Sequence, residues 1–120
     1  MKKKNLLVYT LGIAIFIIAL FLLFRQNETP ASPNIEKLAL CLKEKNVTMY
    51  GAYWCPHCQN QKKLFGSAFK DVPYVECTED TTKCREMNIQ NYPTWILEDG
   101  KRLVGEIPLD TLAKESSCQY

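Results

Sequence analysis

The sequence predicts a small α/β domain with a mixed sheet, carried behind a single membrane-spanning helix. Two observations lead there. A long apolar run opens the 120-residue chain. Behind it, helix-type and strand-type segments follow in the order α-β-α-β-α-β-β-α, which suits a sheet covered by helices.

Leu6 to Phe24 carries no charge, and its 19 residues follow Lys2, Lys3 and Lys4 and precede Arg25. At 1.5 Å per residue such a helix is roughly 28 Å long, close to the hydrocarbon thickness of a bilayer. The lysines predict an N-terminus in the cytoplasm and a domain on the extracytoplasmic side, periplasmic or lumenal. A cleaved signal peptide is the main rival. Its apolar core is ordinarily shorter, and the nearest small-x-small site, Thr29-Pro30-Ala31, lies beyond the run. A buried core helix is a third reading. The chain therefore divides into an anchor (1–25), a polar linker (26–34, with Pro30 and Pro33) and a domain (35–120).

Within the domain, Ile35, Leu38, Ala39 and Leu42 fall at helical spacing, which predicts a helix over Ile35 to Lys45 with Asn34 as its N-cap. Val47 to Ala52 reads as a buried strand. Pro56 to Phe69 reads as a helix with Leu64, Phe65, Ala68 and Phe69 inward, and Gly66 marks a bend or a close contact. Pro73 to Cys77 is a short strand, and Thr81 to Met87 a turn or two of helix. Thr94 to Leu97 and Arg102 to Gly105 form a hairpin about Asp99-Gly100, and Pro108 to Ser116 is the last helix.

The charge excludes a nucleic-acid role. The formal net charge is +2, and without Lys2, Lys3 and Lys4 the rest of the chain carries −1. Binding driven by counterion release requires a basic face, which this chain lacks. Six cysteines beyond a membrane-crossing segment read as disulfide chemistry. Cys77 and Cys84 enclose a short loop that closes easily, for about 2.5 kcal/mol on the chain-entropy model, with a second redox relay as the alternative role. Cys41 and Cys118 are left to tie the two ends of the domain, unless they remain free or pair between molecules.

Trp54-Cys55-Pro56-His57-Cys58 follows the first strand and opens a helix. Two cysteines with two residues between them can close a small disulfide ring, and a thiol at a helix start sits where partial positive charge favours a thiolate. Exchange needs an attacking thiolate, a good leaving thiol and a second thiol to resolve the mixed disulfide. Cys55 is the expected nucleophile and Cys58, one turn inside, the resolver. Pro56 stiffens the ring. His57, the single histidine, is expected to favour the Cys55 thiolate and so make the disulfide more oxidising. An inert staple and half of a zinc site are the bland readings, but no second close cysteine pair or further histidine completes a metal site.

These residues resemble the thioredoxin superfamily, in Trp-Cys-x-x-Cys between strand and helix and in Tyr92-Pro93-Thr94 before a later strand. The resemblance covers Ile35 to Cys118. It is closer to one branch, the thioredoxin-like domain fused to or partnered with bacterial vitamin K epoxide reductase homologues. Tyr50 to Gln59, Lys62 to Gly66, Pro73 to Cys77 and Tyr92 to Trp95 carry that likeness. It implies a thioredoxin-like fold, a cis Tyr92–Pro93 bond against the active-site disulfide where extended substrate backbone binds, and Trp54 beside the nucleophile. Thioredoxins proper keep a buried aspartate where this chain has Met49. Glu76 is a possible substitute, with a solvated or ion-paired state as its plainer reading.

The expected function is a membrane-anchored thiol–disulfide oxidoreductase. It would oxidise cysteines of exported proteins and be reoxidised by a quinone-linked membrane partner of the vitamin K epoxide reductase type. No cofactor or metal of its own is expected. A tethered reductase or isomerase is the enzymatic alternative, and a non-catalytic binding module or metallochaperone the other.

Overall fold

The structure is a computed structural model that describes residues 2–24 and 29–120. Met1 and residues 25–28, which include Arg25 and the first part of the 26–34 linker, lie outside the described residues.

Helix α1, Lys2–Phe24, is apolar on every side. Asn5–Phe24 is 20 residues long and holds an 18-residue stretch of mean hydropathy 2.9, none of it buried, so by length and composition it could cross a membrane. A signal sequence meets the same description; a buried core helix does not.

The next helix is α2, Pro33–Glu44. Its N-cap is Ser32, whose Oγ accepts the Ile35 N–H, and this corrects the expectation that Asn34 caps it. Pro33 is the reason. A proline fits the first helical position, where its missing N–H leaves nothing unsatisfied, so the helix starts earlier than its apolar spacing suggests. The remaining elements are β1 (Thr48–Gly51), α3 (Pro56–Phe65), a 3₁₀ turn (Gly66–Asp71), β2 (Tyr74–Glu76), α4 (Thr81–Glu86), β3 (Thr94–Ile96), β4 (Arg102–Val104) and α5 (Leu109–Ser116).

The sheet runs β2-β1-β3-β4, with β1 and β2 parallel and the other pairs antiparallel. Strand β1 is central, and successive residues serve opposite faces. Met49, opposite Trp95, enters the main core with Leu38, Leu42, Phe65, Leu112 and Val47. Tyr50 faces the other way, onto Cys77 and Cys84 beside Val75, Met87 and Ile96. The sheet is therefore covered on both faces.

Helix α3 is shorter than the expected Pro56 to Phe69. Gly66 ends it at φ 55°, and a Cβ there would meet the Thr29 carbonyl oxygen at 2.5 Å. That carbonyl accepts the Ser67 N–H, and the Ser67 Oγ accepts the Ala31 N–H, so the chain entering the domain is stitched onto the end of α3. Leu64 faces solvent at 45% exposure, contrary to its expected inward place, because it lies off the side of α3 that is turned to the core. The inward face of α3 is Cys58, Gln61 and Phe65.

Two disulfides close the domain. Cys41 in α2 bonds Cys118 just past α5, across a sequence separation of 77, and Cys77 at the end of β2 bonds Cys84 in α4. Lys45 Nζ donates to the Ser116 and Ser117 carbonyls, covering the last acceptors of α5 beside the first bridge. Replacing Cys41 and Cys118 together by serine is expected to lower stability by roughly 2–5 kcal/mol. Urea unfolding of the full chain in detergent measures it; an unchanged midpoint would show that the hydrophobic core alone holds the two ends.

Candidate active site

Helix α3 and the turn before β3 build the site. Cys55 is the N-cap of α3, in extended backbone, and its Sγ accepts the Cys58 N–H at 3.4 Å. Pro56 occupies the first helical turn, where φ near −65° is already suited to a helix. Across the site, Tyr92–Pro93 is a cis peptide, and the Cys55 thiol lies 3.7 Å from the Tyr92 carbonyl oxygen that accepts from it. Gly105 N–H donates to the Pro93 carbonyl, joining this turn to the end of β4. Trp54 stands out at 57% exposure and meets the Tyr92 ring edge to face, with centroids 6.0 Å apart.

Cys55 and Cys58 are the two thiols outside the disulfides. Cys55 is 5% exposed and Cys58 fully buried, so the first sulfur is the one within reach of a substrate. Burial pushes the Cys58 thiol up to about 12, with the Cys55 sulfur adding to the rise while the Ala52 backbone and Lys62 oppose it. The depth of Cys58 depends on Gly51. A Cβ at Gly51 would lie 2.8 Å from Cys58 Sγ and 3.2 and 3.3 Å from Cε2 and Oη of Tyr74.

Several residues that sequence reasoning passed over shape the surroundings. Gln61, fully buried, exchanges two hydrogen bonds with the Ile107 backbone, accepting its N–H at 2.7 Å and donating to its carbonyl at 3.0 Å. This holds the loop that carries Glu106. His57 is exposed, and its Nδ1 lies 2.7 Å from Glu106 Oε2. That ring nitrogen is engaged by a carboxylate rather than a cysteine. Tyr74 donates to Glu76 Oε2 at 2.7 Å. Glu76 Oε1 accepts the Tyr53 N–H and both the N–H and hydroxyl of Thr78. Burial raises the Glu76 carboxyl, but these donors outweigh it and hold the group below its usual range. Tyr74 moves the opposite way, through burial and then its bond to that carboxylate. Lys62 and Gln61 had a visible signal, since they stand one turn beyond Cys58 on α3. Glu106 had none, because it comes from a distant loop.

Among the described residues, no group of three or more histidine, cysteine or acidic side chains is placed to hold a metal.

Two outcomes follow from Cys58's burial. Iodoacetamide at neutral pH is expected to add once to the reduced protein, at Cys55, with Cys58 reacting after unfolding; mass spectrometry of the peptides reads this, and equal labelling of both would contradict the geometry. Gly51→Ala forces Cys58 or Tyr74 to move and is expected to cost about 1–3 kcal/mol in a urea melt.

Comparison with known proteins agrees with this layout. The thioredoxin family model matches residues 32–116. The chain is 43% identical over 93 residues to the thiol-disulfide oxidoreductase LTO1 of Arabidopsis thaliana, covering 70% of this chain and 24% of that protein. It thus spans about a quarter of the length of that relative. Among solved structures it is similar to thioredoxin NaTrxh of Nicotiana alata, with TM-score 0.50 and 25% identity over 75% of this chain and 94% of that one. A domain of the alkylhydroperoxide reductase AhpF of Enterococcus faecalis shares the fold, with TM-score 0.51 and 14% identity over 72% of this chain and 44% of that one. With strand, Cys-x-x-Cys helix start and cis-proline turn in their places, the chain belongs to the thioredoxin family.

Proposed function

We propose that this chain is a membrane-tethered thiol–disulfide oxidoreductase whose Cys55–Cys58 pair oxidises the cysteines of exported proteins. One observation carries the reading. Cys55, 5% exposed, caps α3 beside the cis Tyr92–Pro93 turn, and Cys58 is sealed behind it as the second unpaired thiol. The name of the Arabidopsis relative, thiol-disulfide oxidoreductase, supports the same class of chemistry.

In the oxidised form a substrate thiolate attacks Cys55 Sγ. A substrate–Cys55 disulfide forms, the Cys55–Cys58 bond breaks, and its electron pair leaves on Cys58. A second substrate thiolate then attacks the substrate sulfur, and Cys55 leaves as a thiolate. The substrate has lost two electrons and holds a disulfide; the domain holds a dithiol. Trp54, Tyr92 and Pro93 offer the rim on which an extended substrate segment lies. His57, paired with Glu106, tunes the helix start from outside the ring, and Pro56 stiffens it.

Reoxidation falls to an integral, quinone-linked protein of the vitamin K epoxide reductase type. The likeness of Tyr50 to Gln59 and Pro73 to Cys77 to the partners of such enzymes supports this. We place the domain, residues 35–120, on the extracytoplasmic side of the cytoplasmic membrane. The lysines that open α1 support that side, and so do two structural disulfides, which persist in oxidising compartments.

Cys58→Ser in the full-length chain is expected to stall mixed disulfides at Cys55, joining exported proteins and one integral membrane protein. Adducts that survive Cys55→Ser, or none at all, would refute the exchange reading. A Cys55–Cys58 potential near the −270 mV of thioredoxin would turn it toward a tethered reductase.

A further inference from the structure

When the Cys55–Cys58 disulfide opens, the negative charge arriving on the incoming sulfur ends on Cys58, the least accessible sulfur of the site. A leaving thiolate in a dry pocket departs slowly unless a fixed positive charge faces it. His57 does not fill that place, since it is exposed and turned to Glu106.

Lys62 does. It lies four residues beyond Cys58 on α3, the spacing that sets two side chains on one helix face. Its Nζ is 3.8 Å from the centroid of the Tyr74 ring and 5.3 Å from that of Phe69. Such a cation–π seat holds a flexible ammonium in one place. The Tyr74 ring is itself fixed. Its hydroxyl donates to Glu76, its edge packs against Phe69, and Cε2 and Oη share with Cys58 Sγ the narrow space over Gly51. The ring thus stands next to the buried sulfur and carries the cation on its face. The charge on Lys62 also opposes the burial that pushes Cys58 up.

We propose that Lys62, seated on the Tyr74 ring, is the positioning cation that stabilises the Cys58 thiolate released when the Cys55–Cys58 disulfide opens. The step transfers no proton. A sulfur–sulfur bond forms between the incoming thiolate and Cys55, the Cys55–Cys58 bond breaks, and the electron pair comes to rest on Cys58 facing the Lys62 ammonium. Read in reverse, the same cation favours the Cys58 thiolate that resolves a mixed disulfide. The inference rests on the exchange reading above and adds the group that makes a buried sulfur a competent leaving group.

The test is the rate at which excess glutathione opens the disulfide of the oxidised full-length chain in detergent. Lys62→Met keeps the aliphatic stem over Tyr74 and Phe69 and removes the charge; it is expected to slow opening roughly 3–10-fold. Lys62→Arg is expected to restore most of the rate, because a guanidinium also stacks on an aromatic face. Tyr74→Leu removes the seat and is expected to slow opening in the same direction. A Lys62→Met rate equal to wild type, or Lys62→Arg as slow as Lys62→Met, overturns the proposal. A wild-type disulfide that glutathione does not open refutes the exchange reading itself, so the two failures are distinct.

Discussion

The structure turns on the close approach of α3 to β1 at Gly51. Where β1 ends, the chain turns through Ala52 to Trp54 and starts α3 with Cys55 as cap, so the first turn of that helix lies against the end of the central strand. Any side chain at Gly51 would occupy the space of Cys58 Sγ and the Tyr74 ring. The missing Cβ allows one sulfur to be buried completely while its neighbour three residues earlier stays at the rim. That asymmetry makes the two thiols chemically different.

The remaining architecture holds this contact in place. A central strand covered on both faces, with Met49 and Trp95 on one side and Tyr50 on the other, gives α3 a rigid floor. Gln61 ties the inward side of the same helix to the loop before α5, and the Thr29 carbonyl ties its far end to the incoming chain. The two disulfides act at a distance from the site, one joining α2 to the end of α5 and one joining β2 to α4. Four cysteines are thereby occupied in structure, and the reactive pair stands apart.

Element types and order were legible because each segment carries its own period and punctuation. Leu38, Ala39 and Leu42 are buried as their helical spacing requires, and Asp80 caps α4 through the Lys83 N–H. Boundaries were less legible. The start of α2 was decided by Pro33 and Ser32 rather than by apolar spacing, and the end of α3 by a contact with Thr29 more than thirty residues earlier in the chain. Leu64 faces outward because the core side of α3 is fixed by Cys58, Gln61 and Phe65, and Leu64 lies off that side.

By itself the sequence determined an apolar helix of bilayer length, a mixed α/β order, and a Cys-x-x-Cys pair at a helix start, because these are properties of neighbouring residues. Tertiary structure decided that Gly51 and Tyr74 close around Cys58, that His57 pairs with Glu106, that Glu76 serves Tyr74 and the Tyr53 backbone, and that Lys62 rides on Tyr74. Each of these arises where separate elements meet. Partners such as β2 and α3, or α3 and the loop before α5, are brought together by the packing of the sheet, and no local pattern encodes that distance.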